Sequence, residues 1–428
     1  MSRALSYVAP AAKAWGASYV ASPKAGPLLD MSQGVPGSAP AEPVLASLSK
    51  VAGTHDAAKY GPILGEPALR SALAEELRHK YGVGAQQLSD ADVGITTGCN
   101  MAFLVLLMLL CPPGESSVLL PLPSYFNHAM SLSLQQVEPA YIPCSPKDGF
   151  TPSLPAARAI LETARDSGSK VKPRAIVLVT PNNPTGAIYS PSLLEEWYAL
   201  AREFDVPLVL DETYRDFAGA QPHTLFERPE WRETLITLGS FSKGYRIPGH
   251  RLGCITAAPE LLAHIVTICD CMQICPPRAP QLALIDLLSS LREDLDEAAA
   301  ALRKRLQIFE KVVNSVPGWK LISSGGFYAY VEFPEEFLSA QEQLGVKEGE
   351  KVGSEDVGRA LALEAGVLTL PGCFFMPDLE DKVWGSIKGG DEMKRDRWIR
   401  FAVANIDDES VKALGPRLQR LNELLGVK

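Results

Sequence analysis

The stretch SFSKGYRIPGHRLG, residues 240–253, places a single lysine, Lys243, among serines and glycines. The apolar residues 234–238 before it have the composition of a buried strand. Arg251 follows Lys243 by eight residues. A lysine at the dry end of a strand has a lowered pKa and can act as a nucleophile, and a nearby arginine can bind an anion. This stretch therefore predicts a reactive lysine facing a ligand that is held by its anionic group.

Similar strand-like runs alternate with helices along most of the chain. Such continuous apolar strands, separated by helices, are typical of a mostly parallel sheet covered on both faces. The predicted strands span residues 93–97, 118–121, 175–180, 207–210, 235–238 and 252–256, and helical spacing occurs at 68–80 and 101–111. The expected fold class is α/β, with a large three-layer α/β/α domain.

The pattern changes after residue 292. A long charged helix, predicted at 293–316, connects to alternating strands at 326–333 and 398–404 and to a closing helix at 410–425. This part is expected to form a smaller α+β domain. The predicted domains are an N-terminal arm with part of the small domain (1–45), a large ligand-binding domain (46–292) and a C-terminal small domain (293–428).

Composition excludes several functional classes. The chain has 428 residues, 46% of them hydrophobic and 21% charged, as in an ordinary globular protein. Its net charge of -9 argues against a nucleic-acid partner, and the absence of a long apolar run argues against a membrane span. Eight scattered cysteines predict a reducing compartment, the cytoplasm. The N-terminus faintly resembles an organellar transit segment, although a simple arm is favoured.

No metal site is predicted. Cys269, Cys271 and Cys275 are close in sequence but lack a CxxC pair and a second half-site, so packing is favoured over metal binding.

Unusual polar residues follow the ends of five predicted strands. In open α/β sheets this edge is where ligands bind. The segments are Gly98-Cys99-Asn100, Pro123-Ser124-Tyr125, Pro181-Asn182-Asn183-Pro184-Thr185-Gly186, Asp211-Glu212-Thr213-Tyr214 and Ser240-Phe241-Ser242-Lys243. We expect them to converge on one site.

The chemistry of these side chains indicates a particular ligand. A buried Asp211 needs a cation or a protonated nitrogen beside it. The helix that begins near Cys99 and Asn100 offers free backbone N–H groups to a phosphate, and further donors come from Ser240, Ser242 and Arg251. Tyr125 offers a flat ring. A phosphorylated aromatic aldehyde with a basic ring nitrogen, pyridoxal phosphate, fits all of these features.

The stretch at 240–253 resembles the lysine signature of the class I and II aminotransferases, S-x-S-K-x(5)-G-x-R-x-G. The resemblance extends from Ser32 to Arg400. It implies the aspartate aminotransferase fold (fold type I) and a homodimer with shared active sites. Cys275-Pro276, followed by Gln281 and Ala283, is most similar to kynurenine and aromatic aminotransferases.

The resemblance implies roles for the matching cofactor residues. Lys243 would form the internal aldimine and move the proton between substrate and cofactor, and Asp211 would pair with the pyridine nitrogen. Tyr214 and Asn183 would bind the phenolic oxygen, and Tyr125 would stack on the ring. The phosphate would be held by Ser240, Arg251 and the backbone amides of Cys99 and Asn100, with help from Ser242.

Four further matches complete the implied site. His128 would support Asp211 from behind, although a purely structural histidine is the alternative. Tyr60 would reach the phosphate of the partner subunit. Arg400 would bind the substrate α-carboxylate with its planar fork, and Gly34 would line the substrate pocket, as would Asn183 and Tyr125.

The predicted function is transfer of an amino group from an L-amino acid to a 2-oxo acid by a ping-pong mechanism. Aromatic or apolar donors are favoured, because aromatic residues cluster near Tyr125 and because Asp270 stands where dicarboxylate-specific relatives carry an arginine. The motifs leave other reactions on this fold open, namely β-lyase, decarboxylase, synthase and oxygen-dependent oxidase chemistry. A non-catalytic, cofactor-binding sensor module is a further alternative.

Overall fold

The larger domain is built around an eight-stranded sheet. The computed structural model describes residues 9–20, 25–219, 221–377 and 394–427. Strands are numbered along the chain, and those of this sheet are β2 (Val93–Thr96), β3 (Ser116–Leu122), β4 (Glu138–Ser145), β5 (Thr151–Pro152), β6 (Lys172–Val179), β7 (Leu208–Asp211), β8 (Leu235–Ser240) and β9 (Gly253–Thr256). Their order is β2-β9-β8-β7-β6-β3-β4-β5.

Most neighbouring strands in this sheet are parallel. β3 pairs in parallel with β4 and β6, and the series continues through β7 to β8. β9 is antiparallel to both of its neighbours, and β5 is antiparallel to β4. The prediction of a mostly parallel sheet is confirmed. The run at 252–256, predicted among the parallel strands, is antiparallel because residues 241–252 return the chain to the same edge of the sheet without an α-helical crossover.

Helices cover both faces of the sheet. Along β6, Ile176 and Leu178 enter one hydrophobic cluster, and Ala175 and Val177 enter the cluster on the opposite face. The first cluster is completed by α2 (Glu42–Ala52), α3 (Pro67–Tyr81), α6 (Leu154–Asp166), α7 (Pro191–Glu203) and α9 (Arg278–Leu284). The second is completed by α4 (Cys99–Leu110), α5 (Phe126–Leu134) and α8 (Pro259–Met272). This is the predicted three-layer arrangement.

Three of the four predicted helices match the observed ones to within two residues. The helix predicted at 68–80 is α3, which ends where Gly82 adopts φ 68°. The helix predicted at 101–111 is α4, and it starts earlier, at Cys99, because Gly98 takes φ 81° and lets the chain turn directly from β2 into the helix. The connecting helix predicted at 293–316 is α10 (Arg292–Asn314).

The smaller domain contains an antiparallel sheet. Its strands are β10 (Lys320–Gly325), β11 (Tyr328–Glu332), β13 (Leu370–Pro371) and β14 (Trp398–Ala402), in the order β10-β11-β14-β13. β11 begins two residues later than predicted because Gly326, with φ 54°, forms the turn from β10. Between β11 and β13 lie α11 (Gln341–Leu344), α12 (Ser354–Glu364) and β12 (Val367–Leu368).

The closing helix predicted at 410–425 is wrong as a single element. Two helices occupy this region, α13 (Asp408–Lys412) and α14 (Leu414–Leu424). Pro416 lies in the first turn of α14 and has no N–H to donate to the carbonyl of Lys412. The break therefore falls just before this proline.

The described part of the predicted N-terminal arm packs against the smaller domain. It forms α1 (Ala9–Ser18), whose Ala12 is buried in a cluster with Leu368, Leu370 and Phe374. It continues through β1 (Leu29–Asp30), which pairs in parallel with β12. This pairing places residues 32–35 beside β14, at the entrance to the site described below.

Candidate active site

A cavity of about 410 Å³ lies at the carboxyl ends of β2, β3, β6, β7 and β8. All of the predicted site residues except Tyr60 and His128 line it: Gly34, Cys99, Asn100, Tyr125, Asn183, Asp211, Tyr214, Ser240, Ser242, Lys243, Arg251 and Arg400. The smaller domain contributes Arg400 and Tyr328, and the N-terminal segment contributes Gly34. The sheet and the smaller domain therefore form the cavity together.

Lys243 follows β8 and points into this cavity. Its Nζ donates a hydrogen bond to the carbonyl oxygen of Gly34 and lies 5.7 Å from the centre of the Tyr214 ring. Burial lowers the pKa of Lys243 to about 8, with the charges of Arg400 and Arg251 acting in the same direction. A substantial fraction of this amine is therefore neutral and nucleophilic near neutral pH.

Asp211 lies at the end of β7 as a buried carboxylate with several donors. Its Oδ2 is 3.2 Å from Nε2 of His128, and its Oδ1 accepts hydrogen bonds from the N–H and hydroxyl of Thr213 at 3.1 and 2.7 Å. Burial opposes ionisation of Asp211, but the donors from His128 and Thr213 prevail and lower its pKa. Asp211 is therefore a fixed negative charge, and His128 lies behind it, outside the cavity lining.

One wall of the cavity is an anion-binding cradle. It combines the first backbone N–H groups of α4, which have no intrahelical acceptor, with Ser240, Ser242 and Arg251. A Cβ atom on Gly98 would lie only 2.4 Å from Nη2 of Arg251. The glycine therefore keeps the guanidinium against the start of the helix.

Arg400 is a buried cation in the middle of β14. Nη1 donates to Oδ1 of Asn183 at 2.9 Å, and Nη2 donates to the carbonyl oxygen of Ser32. Its guanidinium carbon lies 4.5 Å from the centre of the Tyr328 ring and 4.8 Å from that of Phe375. Among the described residues no carboxylate forms an ion pair with Arg400. Its charge is thus available to an anionic group of a ligand.

Two tyrosines line the cavity beside these charges. The hydroxyl of Tyr214 lies 2.7 Å from that of Tyr328, and burial raises the pKa of Tyr214 well above its ordinary value. Tyr125 precedes α5, and its hydroxyl accepts a hydrogen bond from Asn127 at 3.0 Å. Both phenols are therefore neutral hydrogen-bonding groups at the edge of the cavity.

The model of the aminotransferase class I and II family matches residues 27–418. This chain belongs to that family. It is 26% identical to an aspartate aminotransferase of Sulfurisphaera tokodaii over 317 residues, 74% of each protein, and 27% identical to the aromatic aminotransferase ISS1 of Arabidopsis thaliana over 351 residues, 81% of this chain and 82% of the relative. The chain is therefore a transaminase, and the family depends on pyridoxal phosphate.

Solved structures share the fold of this aminotransferase. YbdL of Escherichia coli, for which a methionine aminotransferase function has been identified, superposes with a TM-score of 0.79 at 20% identity, covering 97% of this chain and 96% of YbdL. Bna3p of Saccharomyces cerevisiae, a candidate kynurenine aminotransferase, superposes with a TM-score of 0.81 at 19% identity, covering 99% and 97%. The fold type I architecture expected from the sequence is confirmed.

The residues of this aminotransferase fit pyridoxal phosphate. Arg251 and the start of α4 would hold the phosphate in the cradle that Gly98 keeps open. Asp211, charged although buried, would face the ring nitrogen, and Lys243 would face the aldehyde. When bound, the cofactor supplies an electron-withdrawing ring that stabilises negative charge on the substrate Cα.

Tyr60, predicted to reach the phosphate of the partner subunit, lies at the surface of its own chain. Its side chain is 76% exposed and does not line the cavity of the same chain. The segment that follows Tyr60 is anchored by an ion pair, in which Nε of Arg278 donates to a carboxylate oxygen of Glu66 at 2.6 Å. The position of Tyr60 at the surface leaves it available to a second subunit.

Several cavity residues were not identified from the sequence. Lys13 of α1 and Tyr328 of β11 line the cavity, and so do Gln33, Val35, Phe126, Asn127, Pro248 and Leu370. Phe374 does not line the cavity; its ring stacks on that of Trp15 with ring centres 6.3 Å apart. The pattern of β11 predicted a strand, but nothing in it marked Tyr328 as a site residue.

The described ranges contain neither a metal-binding cluster nor a membrane-spanning helix. No group of three His, Cys, Asp or Glu side chains there could hold a metal ion, and no helix there is long and apolar enough to cross a membrane.

Proposed function

We propose that this aminotransferase takes the amino group of an L-amino acid with an aromatic or apolar side chain. It passes the group to a 2-oxo acid in two half-reactions at the same site. The observation that carries the proposal is Arg400, a buried cation with no carboxylate partner among the described residues, facing the lowered-pKa amine of Lys243 across one cavity.

Each residue then has a distinct task. Arg400 binds the α-carboxylate through its fork and so fixes the substrate Cα near Lys243. Nζ of Lys243 removes the proton from that carbon and returns it on the cofactor side. Asp211 keeps the ring nitrogen protonated, because His128 and Thr213 hold it in the charged form. Tyr214 and Asn183 supply donors for the phenolic oxygen of the cofactor.

The preference for apolar donors is supported by the walls around the cavity entrance. Tyr125, Phe126, Val35 and Leu370 line it, and Asp211 is the acidic residue of the lining. Apolar walls favour an uncharged side chain, because they offer it burial without a polar partner. The preference would be contradicted if purified enzyme used aspartate with a lower KM than phenylalanine or leucine.

The active unit is proposed to be a homodimer with shared sites. Tyr60 is exposed, and the described surface also exposes Leu45, Met108, Met272 and Ile274. A second copy that covered both Tyr60 and these apolar residues would bury them and bring Tyr60 to the phosphate of its partner. If so, mixing inactive Lys243→Ala subunits with weakened Tyr60→Ala subunits restores activity, because each mixed dimer contains one intact site. Activity no greater than the sum of the separate variants would contradict shared sites.

Transamination itself is tested by one half-reaction. Purified holoenzyme is mixed with amino donor alone, and the bound cofactor should be recovered as pyridoxamine phosphate together with an equal amount of 2-oxo acid. Release of ammonia or carbon dioxide without that product would instead indicate the lyase or decarboxylase chemistry that this fold also supports. The same assay over a panel of donors defines the preferred side chain.

A further inference from the structure

Tyr328 connects the two halves of the active site. It lies on β11 of the smaller domain, is almost fully buried, and borders the cavity. Its hydroxyl is 2.7 Å from that of Tyr214, in the large domain, and its ring lies 4.5 Å below the guanidinium carbon of Arg400. One side chain therefore contacts both the phenol proposed for the cofactor and the cation proposed for the substrate.

The position of Tyr328 is fixed by tight packing. A Cβ atom on Gly34 would lie 1.8 Å from the hydroxyl oxygen of Tyr328. The carbonyl oxygen of the same glycine accepts the hydrogen bond from Lys243. The Tyr328 and Tyr214 rings also meet edge to face, with centres 5.4 Å apart and planes at 77°. The hydroxyl of Tyr328 is thus held between Gly34 and Tyr214.

The surroundings indicate which phenol donates the shared hydrogen bond. Burial raises the pKa of both phenols, that of Tyr214 further, and the positive charge of Arg400 opposes the rise in both. The more acidic of two phenols is the better donor, so Tyr328 is expected to donate its proton to the oxygen of Tyr214. The proton of the Tyr214 hydroxyl can then point into the cavity. The hydrogen bond from Tyr328 polarises this hydroxyl and strengthens the bond that Tyr214 donates.

We propose that Tyr328 is a positioning residue. Its hydroxyl orients the Tyr214 phenol as a donor to the phenolic oxygen of pyridoxal phosphate, and its ring supports the Arg400 guanidinium that receives the substrate carboxylate. This inference rests on the proposed function and assigns Tyr328 two separable contributions. The hydroxyl acts on the cofactor, and the ring face acts on substrate binding.

The hydroxyl contribution is tested with Tyr328→Phe. The readout is the pH titration of the visible absorbance of bound cofactor, which needs no turnover. Without the hydrogen bond from Tyr328, Tyr214 is a weaker donor to the phenolic oxygen of the cofactor. The pKa at which the absorbance of the bound cofactor changes should therefore rise by about half to one unit. Binding of a simple carboxylate should stay within about twofold of wild type, because the ring under Arg400 remains.

Tyr330→Phe is the matched control. Tyr330 lies two residues further along β11 and is also buried, but it does not line the cavity. Its hydroxyl has no hydrogen-bond partner among the described residues, and its ring packs edge to face on Phe150. The same loss of one hydroxyl should therefore leave the absorbance titration unchanged.

The ring contribution is tested with Tyr328→Leu. This change removes both the hydroxyl and the face under Arg400, so it should reproduce the shifted titration and also weaken binding of 3-phenylpropionate and hexanoate about three- to tenfold. Thermal unfolding of each variant checks that the fold is retained. If the leucine variant unfolds, Tyr328→Phe still tests the contribution of the hydroxyl.

Two results would overturn the proposal. One is an absorbance titration of Tyr328→Phe that coincides with wild type, and the other is an equal shift in Tyr330→Phe. Failure of the wild-type holoenzyme to transfer an amino group is a different outcome, because it contradicts the proposed function while the cofactor titration still reports on Tyr328.

Discussion

The two halves of the active site are built in different ways. The half proposed to face the cofactor comes from one sheet: Asp211 ends β7, Lys243 follows β8, and Arg251 lies just before the antiparallel β9. The half proposed to face the substrate is assembled from distant segments: Arg400 donates to Ser32 across 368 positions, and Lys243 donates to Gly34 across 209. The first half depends on local sequence, and the second depends on how the N-terminal segment and the smaller domain pack.

This difference separates the type of chemistry from the choice of substrate. A lysine, a carboxylate and an anion cradle at one sheet edge define what the cofactor does. The walls proposed to meet the substrate come mainly from outside the sheet, namely from α1, residues 32–35, β11, β13 and β14, together with Tyr125 and Phe126. Variants in the first half should therefore abolish the reaction, and variants in the second should weaken substrate binding or change which substrate is preferred.

The largest effect is expected from Lys243→Ala. Removing the amine removes both the nucleophile and the base, so turnover should fall at least about a thousandfold. The phosphate cradle is untouched, and the variant should still bind pyridoxal phosphate in equilibrium dialysis. Lys13→Ala is the control, since Lys13 also lines the cavity but belongs to the substrate half. Near-normal turnover of Lys243→Ala would show that the cofactor half is wrongly assigned.

Arg400→Lys should have the next largest effect. A lysine keeps the charge but cannot reproduce a fork that contacts Asn183 and Ser32 while facing a carboxylate. We expect kcat/KM for every amino donor to fall about thirty- to hundredfold, mainly through KM. The absorbance titration of bound cofactor should move little. A fall confined to kcat, with KM unchanged, would place Arg400 outside the carboxylate site.

The sequence predicted the cofactor half far better than the substrate half. Asp211, Lys243 and most of the other proposed cofactor residues follow an apolar run that is visible as a strand, so the sequence indicates both the motif and its place in the fold. Tyr328 is embedded in an alternating strand whose pattern reports burial only, and its partner Tyr214 is 114 positions away. Lys13 lies on a short helix, α1, whose docking depends on Ala12 packing against β12 and β13. Such contacts are set by tertiary packing and leave no local signal.

Lys243, in the cofactor half, should make the stability difference between the wild type and Lys243→Met depend on pH. Without cofactor, folding holds Lys243 at a pKa of about 8, below the value of a lysine in an unfolded chain, so the charged form is disfavoured. The free energy of unfolding of the wild type, relative to that of Lys243→Met, should decrease as the pH falls from about 10.5 through 8. Below this range the difference between the two proteins should not change further. Allowing for partial exposure, the change should be about 2 kcal/mol.

Urea unfolding of the cofactor-free proteins between pH 7 and pH 10 measures this difference. Lys243→Ala should show the same pH trend as Lys243→Met, which would assign the effect to the lost charge instead of to packing of the methionine. A difference that stays constant over this range would show that the amine is well solvated before the cofactor binds.

The smallest effect is expected from Lys13→Ala, in the substrate half. The cavity lining contains the cations Lys243, Arg251 and Arg400, which have proposed partners in the cofactor or the α-carboxylate, whereas Lys13 has none of these roles. Because it is exposed, its attraction for a second carboxylate is weak and screened by salt. The variant should raise KM for acidic donors about two- to fivefold at low ionic strength, and it should leave KM for apolar donors unchanged. Equal increases for both classes, independent of salt, would instead mean that Lys13 acts by holding α1 in place, and the entrance would then select substrates by shape.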